Sequence, residues 1–122
     1  MTSSLSQHGA VARGAFAVVV LVSLAVLFAP PSDVPSAAPG VDKAVHLSLF
    51  LALALTGRWA GLGRRVAVVS LLVYAAVSEV LQGTALVDRD AELLDWVADA
   101  VGVAAGAALW GLLRRRSGAT DR

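Results

Sequence analysis

The chain has 122 residues, 57% of them hydrophobic and only 16% charged, with a positive mean hydropathy. That balance leaves too little polar surface for a separate soluble domain and places the protein in or at a bilayer. The formal net charge of +1 averages two opposite charge sets, and the arginines stand in short flanking clusters without interleaved aromatics, which argues against a nucleic-acid partner. Cysteine is absent, so disulfides and thiolate metal sites are excluded.

Four apolar runs follow one another, roughly 11–29, 44–59, 66–83 and 91–113. Each is close to the ~17 to 25 residues that a helix needs to cross ~30 Å of hydrocarbon. The sequence therefore predicts an all-α, small polytopic membrane protein, one domain over residues 1–122 with four transmembrane helices.

The first run carries Arg13 at its start and is followed by Pro30, Pro31, Pro35 and Pro39, which stop the helix and hold the link extended. A cleaved signal peptide is the rival reading of this run, with Ser36-Ala37-Ala38 as the small-residue site. Pro39 directly after that site, and the odd number of spans that cleavage would leave, argue for a retained span.

The second run opens Val41-Asp42-Lys43-Ala44-Val45-His46, and the i,i+4 spacing puts Asp42 and His46 on one helical face. Asp42 suits an N-cap after Gly40, and Lys43, the chain's single lysine, can snorkel to headgroups. His46 lies inside the run, where an ionisable side chain is by default a functional candidate. Arg58 and Trp59 close the run at its other end.

After Arg64 and Arg65, the third run ends in Ser78-Glu79-Val80-Leu81-Gln82. Ser78 and Gln82 can act as interhelical hydrogen-bonding glue worth about 1 kcal/mol. Glue does not account for the Glu79 carboxylate, which must face protein rather than lipid.

The fourth run is entered through Asp88-Arg89-Asp90-Ala91-Glu92. Along it Glu92, Asp95, Asp99, Gly102, Gly106, Leu109 and Leu113 step by three and four, so one face passes from acids through glycines to leucines. Gly102 and Gly106 form a small-xxx-small surface that lets a neighbouring helix approach closely. Asp99 lies about 12 Å of helical rise beyond Ala91, where an aspartate costs about 2.5 to 3.5 kcal/mol on insertion scales. Trp96 and Trp110, about 21 Å of rise apart, read as anchors in the two interfacial belts, as does Trp59.

Charge sets the orientation. Arg13, Arg58, Arg64, Arg65, Arg114, Arg115, Arg116 and Arg122 fall on one set of alternate ends, and Asp33, Asp42, Glu79, Asp88, Asp90, Glu92, Asp95 and Asp99 on the other. Basic residues accumulate on the cytoplasmic side, so both termini are expected on the cytoplasmic side of the membrane. Asp42, Lys43, His46, Glu79, Gln82, Arg89, Asp95 and Asp99 then converge on one outward-facing polar pocket.

At this point the residues resemble a known family. Asp42-Lys43-x-x-His46, Glu79-x-x-Gln82 and Arg89-x5-Asp95-x3-Asp99-x2-Gly102 are similar, in order and approximate spacing, to the VanZ-like family of small bacterial membrane proteins. The resemblance runs from Asp42 to Gly106, a little over half of the chain. Leu47 stands where the family has an aromatic residue, Val87 where it has proline, and Asp99 where it has asparagine. The resemblance implies a small helical protein at the cell envelope, with a link to teicoplanin-type glycopeptide resistance, and it matches Asp95 rather than Asp99 to the family's acid. On that ground Asp95 is expected to be the essential carboxylate.

Two functional readings remain. In the first, a binding or transport-like module, Arg89 and Lys43 attract an anionic lipid headgroup, envelope precursor or glycopeptide while His46 and the carboxylates bind a cation or exchange protons. In the second, an intramembrane enzyme acts on lipid-linked substrates with His46 or Glu79 as general base and Arg89 as anion stabiliser. The first is favoured because the chain has no recognisable serine triad, HExxH motif or glycine-rich phosphate loop. No cofactor is required, although a divalent metal on His46, Glu79, Asp95 and Asp99 would serve either reading. The sequence specifies no oligomeric state.

Overall fold

The computed structural model describes residues 9–28, 40–82 and 93–116, and only the backbone of Asp42, Gln82, Leu93, Leu94 and Asp95 among them. The described residues form four α-helices and no strand: α1 Ala10–Leu27, α2 Val41–Trp59, α3 Arg64–Gln82 and α4 Leu93–Arg116. Helices α1 and, over Trp96–Arg116, α4 are long and apolar enough to cross a membrane. Helix α2 (Asp42, Lys43, Arg58) and helix α3 (Arg64, Arg65, Glu79) each carry three charged residues. Valine runs such as Val18-Val19-Val20 favour strands in water, yet here they are helical. A helix satisfies every backbone group internally, which an apolar surrounding demands.

The helix ends differ from the apolar runs for identifiable reasons. Helix α2 starts three residues early because Gly40, at φ 89°, takes the N-cap and its carbonyl accepts from Ala44 N–H at 3.0 Å. Asp42, expected at the cap, is therefore inside the first turn, where an acid suits the helix dipole. Helix α4 extends to Arg116 because Arg114, Arg115 and Arg116 sit in its last turn, the favourable end for cations.

A tight turn joins α2 to α3. Gly61, at φ 114°, sends its N–H to Arg58 O at 3.1 Å, and Leu62 N–H reaches Gly57 O at 3.0 Å. This pair of bonds is a Schellman closure, which requires the left-handed glycine. Arg58 Nη1 donates to Leu62 O at 2.7 Å and the side chain is buried. Sequence position marks Arg58 as a flanking charge, and the returning turn also gives it a carbonyl to hold.

Helices consecutive in the chain alternate in direction. The turn makes α2 and α3 antiparallel, and Phe16 near the start of α1 lies against Gly57 near the end of α2. Helices α2 and α4 run parallel, since His46, Leu47 and Leu51 face Asp99, Gly102 and Gly106 in the same order. Arg13, Arg58, Arg64, Arg65 and Arg114 to Arg116 thus gather at one pole of an up-down-up-down bundle, and the starts of α2 and α4 lie at the other.

Helix α2 packs against all three others and most extensively against α4. The glycines are the reason. A Cβ on Gly102 would collide with the Leu47 carbonyl oxygen, and one on Gly106 would sit 2.5 Å from Leu51 O and 2.8 Å from Ala54 Cβ. The core comprises Leu27, Phe50, Leu53, Ala54, Leu71, Ala75 and Val103, with Phe50 and Tyr74 tilted at 43° and 5.6 Å between ring centres. Ser23 ties α1 to α3 through a 2.9 Å hydrogen bond with the Tyr74 hydroxyl.

The exterior is apolar. Helix α3 exposes Val66, Val69, Val73, Val77 and Val80, spaced by three and four, and α1, α2 and α4 also present exposed valines. A water-soluble bundle puts charged and polar residues on that face. Trp110, expected in an interfacial belt, is instead buried, with the Arg114 guanidinium carbon 5.5 Å from its ring centre. Burial lets it fill the space between helices and stack a cation at the basic pole.

Candidate functional site

Among the described residues, three helices each place one buried ionisable side chain toward the pole opposite the arginines. His46 is the sixth residue of α2, Glu79 is three residues before the end of α3, and Asp99 is the seventh of α4. Counted at 1.5 Å per residue, they stand about 8, 5 and 9 Å from the nearer end of their helices. All three are buried, with 2%, 7% and 0% of their surface exposed respectively. One imidazole nitrogen and one oxygen from each carboxylate lie within 4.8 Å of one another.

His46 Nδ1 and Asp99 Oδ1 are 2.8 Å apart, a buried hydrogen bond between α2 and α4. With Asp99 ionised, its carboxylate accepts and Nδ1–H donates, and the ring presents Nε2 as its other face. A charge-assisted bond of this kind in a low-dielectric interior is stronger than the same bond in water. The helical repeat then closes the site from below. Phe50 is one turn beyond His46, Ala75 one turn before Glu79 and Val103 one turn beyond Asp99, and all three are fully or almost fully buried. These three side chains give the ionisable layer an apolar floor.

Of the residues expected to converge, the structure brings together His46, Glu79 and Asp99. Lys43 lies one turn before His46 on α2 and is half-buried. Asp42, Gln82 and Asp95 fall within α2, α3 and α4, with their side chains outside the described residues. Arg89 also lies outside them. Among the described side chains the acid that meets His46 is Asp99, and the cause is axial register. Gly102 and Gly106 seat α4 on the α2 backbone at Leu47 and Leu51, and this brings Asp99, one turn before Gly102 and Val103, level with His46.

Ser23 and Tyr74 form a second buried polar pair that sequence reasoning missed. A serine in an apolar run can bond its own helix, as Ser23 does to Val20 O at 2.7 Å. The cross-helix bond could not be read from spacing.

No family model matches the chain, and neither a curated protein nor a solved structure matches it. The functional argument therefore rests on the residues of the site and on the bundle that holds them.

Proposed function

We propose that this is a multi-pass protein of the bacterial cell membrane, VanZ-like in its motifs, with four spans and both termini cytoplasmic. In this reading its outer polar layer binds or moves an anionic cell-envelope ligand. The observation that carries it is the buried His46, Glu79 and Asp99 layer enclosed by a bundle whose outer face is apolar. Buried ionisable groups inside an apolar shell are costly and mark substrate or ion pathways in membrane proteins. The arginines at the opposite pole favour the cytoplasmic side for that pole, which leaves the polar layer near the cell surface. Lys43, one turn before His46, adds a cation at the mouth.

Topology is checked with single cysteines, since the chain has none. In intact cells an impermeant thiol reagent should label Cys placed at Ala38 or Ala85 and spare Cys at Gly63. Labelling of Gly63 alone would invert the protein. For the ligand, expression in a glycopeptide-sensitive host should change susceptibility to, and surface binding of, teicoplanin-type glycopeptides. His46→Ala and Glu79→Gln should abolish both effects at unchanged protein level. Unaltered susceptibility and surface binding with verified expression would refute the glycopeptide assignment.

An intramembrane enzyme acting on lipid-linked substrates has one specific observation in its favour. The 2.8 Å bond to Asp99 orients His46 as a carboxylate orients a general base. Turnover of a polyprenyl phosphate by the purified protein, lost in His46→Ala, would select this reading over binding alone.

A further inference from the structure

We propose that His46, Glu79 and Asp99 form a binding site for one divalent transition metal, with zinc the best fit, and that the metal is what lets an acidic pocket take an anionic ligand. The ligand at the metal rests on the function proposed above; the metal set itself stands on geometry.

The donors are one imidazole nitrogen and two carboxylate oxygens from three different helices, all within 4.8 Å. Zinc holds such donors at about 2.0 to 2.2 Å in a tetrahedron, which puts neighbouring donor atoms about 3.3 to 3.5 Å apart. That spacing lies between the 2.8 Å of the His46 and Asp99 pair and the 4.8 Å limit of the set. Loading therefore requires the pair to open by roughly half an ångström and the Glu79 carboxylate, on its longer side chain, to swing inward. The metal takes the place of the proton between Nδ1 and Oδ1, and that proton moves to Nε2, so the ring stays neutral as the ligand.

Charge supports the same assignment. Two carboxylates, a neutral imidazole and a divalent ion sum to zero, the state that a low-dielectric layer tolerates best. The nitrogen donor favours zinc or another transition metal over calcium and magnesium, which take all-oxygen shells of six or more ligands. Three protein donors leave a fourth position, as in open zinc sites. Phe50, Ala75 and Val103 lie on the basic side of the layer, so that position faces away from the arginines. An anionic oxygen arriving there meets a cation rather than two carboxylates.

The test uses the full chain, purified in mild detergent, stripped with a chelator and titrated with Zn2+ against a chromophoric competitor. One Zn2+ per chain is expected, with Mn2+ bound more than about tenfold more weakly, following the usual metal order. Asp99→Asn keeps the side-chain shape and can still accept the His46 hydrogen bond, so it should fold, as read by helical circular dichroism and gel filtration. It should nevertheless weaken Zn2+ more than about 100-fold, beyond what loss of an outer-shell partner costs. Glu79→Gln should do the same, and Ser23→Ala should not change the affinity. Folded wild-type protein that takes up no stoichiometric Zn2+ at micromolar concentration, or an Asp99→Asn variant that binds like wild type, would overturn the site. Glycopeptide binding by chelated wild-type protein would overturn the metal's role while sparing the ligand reading, and stoichiometric zinc without glycopeptide binding would do the reverse.

Discussion

Replacing Gly106 with alanine adds a single methyl group, and the structure says how far the bundle must move to take it. The new Cβ would lie 2.5 Å from Leu51 O and 2.8 Å from Ala54 Cβ. Ordinary contacts need about 3.3 Å or more to oxygen and about 3.5 to 4.0 Å to carbon, so α2 and α4 must part by about 0.8 to 1 Å. Overpacking of this sort costs about 1 to 3 kcal/mol. The separation also reaches the site. Gly106 lies seven residues, two helical turns, from Asp99, and a comparable parting there would stretch the 2.8 Å bond with His46 toward 3.7 Å, outside hydrogen-bond range. Adding about 1 kcal/mol for that bond gives a loss of about 2 to 4 kcal/mol. Gly102→Ala, whose Cβ would collide with the Leu47 carbonyl nearer the bond, should lose at least as much. Gly14→Ala is the control. Nothing lies within 4 Å of its Cβ, so the better helix propensity of alanine should stabilise by up to about 1 kcal/mol. Thermal or denaturant unfolding in mild detergent, followed by circular dichroism, ranks the three variants. Gly102→Ala and Gly106→Ala variants as stable as Gly14→Ala would refute the close approach of α2 to α4.

Three further outcomes follow from particular residues. Val73, 56% exposed at the middle of α3, should cost about 2.5 to 3.5 kcal/mol of membrane insertion as Val73→Arg if it faces lipid, whereas an exposed site in water would change stability by no more than about 0.5 kcal/mol; a glycosylation-reporter insertion assay separates the two. Arg58→Met removes the donor to Leu62 O and should destabilise by about 1 to 3 kcal/mol in detergent melts, and an unchanged melt would reduce Arg58 to a flanking charge. A double-mutant cycle of Ser23→Ala with Tyr74→Phe should return a coupling of about 0.6 kcal/mol, the usual size for such pairs in membranes, and zero coupling would remove the tie between α1 and α3.

What could be read from the sequence was whatever depends on near neighbours along the chain. The four helices follow from four apolar runs, because a helix satisfies its own backbone and needs only a length of compatible side chains. The close-packing face of α4 was visible in Gly102 and Gly106, since i,i+4 spacing decides what shares a face. The separation of arginines from acids was equally plain, because alternate helix ends must lie at opposite poles. The partners across helices were not legible. Asp42, Asp95 and Asp99 all shared the expected pocket with His46, and sliding α4 by one turn, about 5.4 Å, would exchange Asp99 for Asp95 without changing any periodicity. That register is decided by the fit of the Gly102 and Gly106 backbone onto Leu47 and Leu51, a matter of shape between segments far apart in the chain. The same reason explains Arg58 and Trp110. Each looked like a marker of the membrane boundary, and each is buried because the turn at Gly61 and the packing between helices supplied a neighbour that spacing along the chain cannot name.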